Sequence, residues 1–282
     1  MPYSQDGARV VIAESDPGRR ATLTQIVRRF CAKSRICETD TGTELAEMLL
    51  AEKPTLAFVG LHLAGMSGPE AVATARKRGG SAQSLVLITA RVIPQWQDLA
   101  QSLGAYEVLK TPLDPKHIDS LMHADARRRQ PTHVLLASSS EHGRNAIGRV
   151  LALSGFNLVV DETDDGRHAL KLLGLASYDL AFIDSKLGGL DGFELACQAQ
   201  ALGLSTRITL MTAGDPEPLA QAARYFGVDS ILRMPFYPRD IDLALHHALT
   251  LRRPYLLNAI TAPPAPTALT RITDLAPTRR TA

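Results

Sequence analysis

The most informative stretch of the sequence reads Tyr178-Asp-Leu-Ala-Phe-Ile-Asp184-Ser-Lys-Leu-Gly-Gly189-Leu-Asp-Gly192-Phe-Glu194. A short apolar run ends in a carboxylate, passes through a glycine-rich loop and enters a helical pattern. This order is typical of a buried parallel strand that delivers Asp184 to the carboxyl edge of a sheet. Open α/β sheets bind their ligands at that edge. Asp184 is therefore a candidate functional residue.

Short apolar runs alternate with helical patterns along the chain as far as about residue 251. In the first half, four of these runs end at Ala13, Gly60, Thr89 and Lys110. Strands that alternate with helices predict a parallel, doubly wound sheet.

The same pattern occurs twice. Equivalent residues lie 124 positions apart in the first part of each copy and 123 apart after one deletion. The matched pairs are Glu14 and Ser138, Gly42 and Gly166, Gly60 and Asp184, Gly65 and Gly189, Gly68 and Gly192, Glu70 and Glu194, Thr89 and Thr212, Gly104 and Gly227, and Pro112 and Pro235. A register held across five strands indicates an internal duplication. The predicted fold is α/β, with two tandem flavodoxin-like (βα)5 domains over residues 8–129 and 132–251.

The chain changes character after the second copy. Arg252-Arg-Pro254 ends the last helical pattern, because proline cannot continue a helix. Prolines and scattered threonines then leave no periodic pattern. Residues 252–282 are predicted to form a disordered tail.

Composition narrows the class of protein. The formal net charge of +2 over 282 residues argues against nucleic acid or an anionic membrane as the main partner. No uninterrupted run approaches the roughly 18 apolar residues that a membrane helix needs. Cys31, Cys37 and Cys197 lack metal-ligand spacing and are interpreted as free thiols. We therefore expect a cytoplasmic protein.

The duplication, the Thr-Ala pairs that follow strand four, and the glycine and proline that flank strand five together resemble the receiver domains of bacterial response regulators. The resemblance covers both copies and implies that Asp184 occupies the position of the phosphorylated aspartate. It further implies that two acids after strand one hold Mg²⁺ together with that aspartate. A Thr or Ser after strand four and a Lys after strand five would bind the phosphoryl oxygens.

The first copy departs from this pattern at most positions. Glu14 and Ser15 stand where the family has two acids, and Gly60 replaces the phosphoacceptor. Thr89 is present, but Thr111 occupies the lysine position. We expect a pseudo-receiver, in which Glu14 is a loop acid or a charge at the start of a helix.

The second copy keeps Asp184 and Thr212, which are the candidate phosphoacceptor and a candidate phosphoryl contact. Ser138-Ser139 replaces the acid pair, Met234 replaces the lysine, and Arg233 lies one residue early as a second candidate contact. Asp184 is then either a relic carboxylate, hydrogen-bonded to Ser138 or Thr212, or a working acceptor. No cofactor is expected, and Mg²⁺ would bind only if Asp184 is active.

These observations indicate an atypical tandem-receiver response regulator without an output domain, which acts by protein–protein contact and without phosphorylation. The alternative is a switch that a histidine kinase or a phosphotransfer protein phosphorylates on Asp184. An enzyme or small-molecule binder on the same fold is not favoured, because no nucleophile–base pair or phosphate-cradling glycine motif occurs. Expected partners are a histidine kinase, a phosphotransfer protein or another regulator, with neither nucleic acid nor membrane. The sequence is also compatible with a homodimer.

Overall fold

The computed structural model describes most of the chain: residues 8–30, 32–91, 98–100, 102–215, 225–252 and 269–272, and the single positions 220, 223 and 254. The chain divides into two compact units between Arg127 and Arg128. The first unit also includes Arg252 and Pro254, and the second includes residues 269–272.

The first domain is a five-stranded parallel sheet with helices on both faces. Its elements are β1 (Arg9–Ala13), α1 (Pro17–Phe30), β2 (Arg35–Thr39), α2 (Gly42–Ala51), β3 (Leu56–Gly60), α3 (Gly68–Lys77), β4 (Ser84–Thr89), β5 (Glu107–Lys110) and α4 (Pro115–Arg129). The strand order is β2-β1-β3-β4-β5, so the chain reverses its winding direction at β1. Parallel strands in this order bring their carboxyl ends to one edge.

The alternation of side chains along β1 explains why both faces of this sheet are covered. Val11 and Ala13 pack in a core cluster with residues of α2 and α3. Val10 and Ile12 pack in the opposite cluster, with residues of α1 and α4. Successive side chains of a strand point to opposite faces, so a strand buried on both sides has a continuous apolar sequence.

The second domain repeats this arrangement and adds a strand. Its elements are β6 (Thr132–Ala137), α5 (Glu141–Ala152), β7 (Leu158–Thr163), α6 (Gly166–Leu175), β8 (Leu180–Asp184), α7 (Gly192–Ala201), β9 (Arg207–Thr212), β10 (Ser230–Arg233), α8 (Pro238–Ala248) and β11 (Leu269–Arg271). The strand order is β11-β10-β9-β8-β6-β7. The two predicted doubly wound α/β domains are confirmed.

The added strand corrects one expectation. Disorder was predicted for residues 252–282, but β11 pairs antiparallel with β10, and Leu269 lies opposite Leu232. Ile272, the residue after the end of β11, is 8% exposed and belongs to the core cluster of the second domain. The expectation of disorder is therefore wrong for residues 269–272. Residues 255–268 and 273–282 lie outside the described part of the chain.

Two further expectations concern single features. Cys37 and Cys197 are free cysteines, while Cys31 is outside the described residues. Within the described ranges, no helix is both long enough and apolar enough to cross a lipid bilayer.

Candidate functional site

The glycine-rich loop after β8 fixes the position of Asp184. A Cβ on Gly192 would lie 2.5 Å from the carbonyl oxygen of Asp184, so α7 can begin this close to the strand only with glycine. Asp191 caps α7 by accepting hydrogen bonds from the backbone N–H groups of Phe193 and Glu194, each at 2.9 Å. The loop therefore holds the end of β8 against the start of α7.

The carboxylate of Asp184 is half-buried and both of its oxygens are hydrogen-bonded. Ser138 donates its hydroxyl to Oδ2 at 3.1 Å. The backbone N–H of Lys186 donates to Oδ1 at 3.0 Å. One of the two hydrogen-bond partners proposed from the sequence, Ser138, is thus in contact with Asp184.

Thr212 lies at the end of β9, beside the strand that carries Asp184. Its hydroxyl oxygen accepts a hydrogen bond from the backbone N–H of Gly214 at 3.1 Å. Arg233 is opposite Thr212 in the register of β10 and β9, and its side chain is exposed. The backbone N–H of Met234 donates to the carbonyl of Thr212 at 2.7 Å.

The first domain shows which position near strand five faces this edge. Thr111, the equivalent of Met234, lines a cavity at the edge. Lys110, the equivalent of Arg233, does not line it. By this equivalence, Met234 corresponds to the residue that lines the cavity of the first domain, and Arg233 corresponds to the residue that does not.

The donor set in the second domain does not fit a magnesium site of the receiver type. Mg²⁺ is usually held by carboxylates together with water or phosphate oxygens. Here Ser138 and Ser139 occupy the acid positions, and Ser139 donates its hydroxyl to the carbonyl of Lys186 at 3.5 Å. The carboxylate of Asp184 already accepts two hydrogen bonds. Across the described residues, no cluster of three His, Cys, Asp or Glu side chains could hold a metal ion.

The acid of the first domain, Glu14, lies in the loop between β1 and α1, and it is also a buried ion-pair partner, which the sequence did not predict. Its side chain is 3% exposed, and its Oε1 lies 2.8 Å from Arg19 Nη2. Oε1 also accepts hydrogen bonds from the backbone N–H of Asp16 and the hydroxyl of Ser15. The hydrogen bond to Glu14 raises the pKa of Arg19 above its usual value. Arg19 therefore supplies an internal cation at this edge.

The remaining candidates of the first domain surround an open space. Gly60 and Thr89 line a cavity of about 390 Å³ together with Glu14, Ser15 and Thr111. The hydroxyl of Thr89 is hydrogen-bonded to the backbone of Arg91, to which it donates at the carbonyl and from which it accepts at the N–H. The sequence candidates are thus brought together here, around a glycine in place of an acceptor.

A pair of arginines that the sequence interpretation missed supports both edges. Arg20 donates to the backbone carbonyl of Glu14 and lies 3.8 Å from a Glu38 carboxylate oxygen. Its equivalent, Arg144, donates to the carbonyl of Ser138 at 2.6 Å and lies 3.7 Å from Glu162. The three pairs, Arg20 and Arg144, Glu14 and Ser138, and Glu38 and Glu162, all keep the offset of 124. The repeat itself could have identified them.

Comparison with known proteins places the second domain in a family. The family model of the response regulator receiver domain matches residues 134–246. The probable transcriptional regulatory protein NarL of Mycobacterium tuberculosis is 33% identical over 105 residues, which are 36% of this chain and 49% of that protein. A cyclic di-GMP phosphodiesterase of Thermotoga maritima is 29% identical over 119 residues, 42% of this chain and 31% of that protein. The chain thus spans about half or less of these relatives.

A solved structure extends the likeness of fold over both domains. The structure of a probable two-component system response regulator/GGDEF domain protein aligns with a TM-score of 0.61 at 21% identity. The alignment covers 86% of this chain and 98% of that one. At this identity the likeness shows the fold alone. Residues 134–246 thus match the response regulator receiver domain, and the domain that precedes them has the same fold.

Proposed function

We propose that this protein is a phosphorylation-independent member of a two-component pathway that acts through protein–protein contact. The first domain is a pseudo-receiver and the second is an atypical receiver that keeps its aspartate for structure. Neither domain catalyses a reaction of its own. The partners are signalling proteins such as a histidine kinase, a phosphotransfer protein or another regulator.

The contacts of Asp184 carry this proposal. Phosphoryl transfer depends on positioning and on neutralising the charge of the incoming group. Asp184 has two serines where the family has acids, and Met234 where it has a lysine. Its two oxygens already accept hydrogen bonds from Ser138 and from the backbone of Lys186. These bonds suit a structural carboxylate, and the described residues contain no cluster of three His, Cys, Asp or Glu side chains that could hold Mg²⁺.

The alternative is a switch that a histidine kinase or a phosphotransfer protein phosphorylates on Asp184. Two observations favour it: Asp184 stands at the carboxyl end of the strand within the matched receiver domain, and Thr212 ends the neighbouring strand. In that case Mg²⁺ and a cation from the partner would have to supply the missing positive charge.

The replacement of Asp184 by Asn tests the proposal, because the amide keeps the size of the side chain and removes the nucleophile. The full-length protein and Asp184→Asn, each expressed at the native level in a strain that lacks the gene, are compared for captured partners and for phenotype. We expect the same partners and retained function. Loss of both in a folded Asp184→Asn protein would favour the switch.

A further inference from the structure

The first domain has a ligand-sized cavity where a receiver would carry its acceptor side chain. The cavity measures about 390 Å³, within the size range of small-molecule sites. It lies against Gly60, whose Cβ, if present, would sit 3.2 Å from Glu14 Oε2. The glycine therefore opens a space that ends on a carboxylate oxygen.

That carboxylate oxygen belongs to a side chain that is largely buried, and the oxygen itself remains accessible from the cavity. Glu14 is 3% exposed, and its Oε1 accepts from Ser15, Asp16 and Arg19. Within the part of the chain that the structure describes, Oε2 accepts no hydrogen bond and faces the space above Gly60. An occupant of the cavity that offers a donor can therefore form a charge-assisted hydrogen bond with this oxygen.

The rim of the cavity has the opposite character. Arg91 and His62 line it with exposed side chains, and neither forms a side-chain ion pair or hydrogen bond among the described residues. Thr111 also lines the cavity, and its hydroxyl has no such partner among the described residues. Because Glu14 balances the charge of Arg19, the charge of Arg91 is left to attract an anion.

We infer that this cavity binds a small organic acid that also carries a hydroxyl or ammonium group. The hydroxyl or ammonium donates to Glu14 Oε2, and the carboxylate of the ligand faces Arg91. A fully ionised phosphate fits poorly, because it would place acceptor oxygens against the Glu14 carboxylate. This inference goes beyond the proposed function, since it makes the first domain a sensor of a metabolite-like acid.

Matched pairs of acids test the inference on the full-length protein. ¹⁵N-labelled protein is titrated with L-malate against succinate, with L-glutamate against glutarate, and with inorganic phosphate. We expect L-malate or L-glutamate to shift the amide signals of Gly60, His62 and Thr111 saturably, while those of Ser138 and Asp184 stay unchanged. The paired acid without the donor should bind at least about tenfold more weakly, as expected for the loss of a charge-assisted hydrogen bond.

Two variants check the geometry. Gly60→Asn places an amide beside Glu14 Oε2 and fills the cavity, and the backbone tolerates it because the equivalent position holds Asp184. We expect it to abolish the shifts. Arg91→Gln, at an exposed side chain, should weaken binding and keep the fold. The inference is overturned if no acid with a donor binds, if the paired acids bind equally, if phosphate binds more tightly than both, or if binding survives Gly60→Asn.

Discussion

The two domains share one fold, but the carboxylate at the carboxyl edge of the sheet lies at the end of a different strand in each domain. In the first domain it is Glu14 after β1, which pairs with Arg19 while Gly60 leaves the acceptor corner open. In the second it is Asp184 after β8, which accepts a hydrogen bond from Ser138. Neither edge combines an acceptor with the acids and lysine that phosphoryl transfer requires.

Both domains retain an arginine that stabilises the loop after their first strand. Arg20 and Arg144 each donate to the backbone carbonyl of the residue that follows the first strand of their domain. Each also lies beside a glutamate on the neighbouring strand. Such charge-assisted bonds stabilise the loop whatever chemistry follows. The comparison indicates that the two domains share the backbone arrangement of this sheet edge and differ in the side chains that phosphoryl transfer would use.

The largest expected effect concerns β11, the strand that extends the second sheet beyond β10. Truncation after Ala268 removes β11 and Ile272 from the core, and should lower the free energy of unfolding of the second domain by about 3 kcal/mol. Ile272→Ala alone should cost about 2 kcal/mol. Denaturant unfolding followed by NMR signals of each domain measures both.

A control for this experiment is Leu175→Ala, at a side chain that is 74% exposed, which should change stability by less than about 0.5 kcal/mol. If the truncated protein unfolds like the full chain, β11 contributes nothing and the tail is disordered after all.

The ion pair that only the first domain contains gives the next effect. Arg19→Ala leaves the buried Glu14 carboxylate without its cation, and should cost about 1–3 kcal/mol. Adding Glu14→Ser, the residue found at position 138, should recover part of that loss. A double-mutant cycle measures the coupling. Strictly additive single effects would show that the pair does not stabilise the first domain.

The smallest effect concerns Tyr178, whose hydroxyl donates to Asp161 at 2.8 Å in the second domain. The first domain has Pro54 and Cys37 at these positions. Burial, with a smaller contribution from Asp161, raises the pKa of Tyr178 from 10.0 to about 12. Above pH 10 the unfolded state loses this proton before the folded state does, so stability falls as the pH rises from 10 towards 12.

Tyr178→Phe should remove that part of the pH dependence and cost about 1 kcal/mol at neutral pH. Urea unfolding at about pH 9 and about pH 11 measures the slope. Tyr225→Phe, at a ring that is 79% exposed, should retain it. If the free energy of unfolding of Tyr178→Phe falls between about pH 9 and about pH 11 as steeply as that of the wild type, Tyr178 is not the group responsible.

The sequence predicts the two sheets because a duplicated pattern constrains every strand twice. It does not predict β11, because three residues beyond a proline-rich segment carry little periodicity and their partner strand, β10, is distant in sequence. Leu269 and Ile272 are recognisable as core residues only once β10 is in place.

The sequence likewise predicts one part of the candidate site and not the other. The sequence locates Glu14, Gly60 and Asp184 at the correct edge, because their positions follow from the strand ends. It does not predict that Glu14 is buried and paired with Arg19, because both depend on how α1 leaves β1. The cavity above Gly60 likewise depends on packing, which a single sequence does not specify.

The most direct test of the central claim is the mass of the intact protein after incubation with acetyl phosphate and Mg²⁺. Losing one preorganised stabiliser of a transition state costs roughly 3 kcal/mol, or about a hundredfold in rate, and Asp184 lacks both the acids and the lysine. We predict the same mass for the wild type and for Asp184→Asn. A phosphorylated wild-type species that is absent in Asp184→Asn would contradict the account and establish Asp184 as a phosphoacceptor.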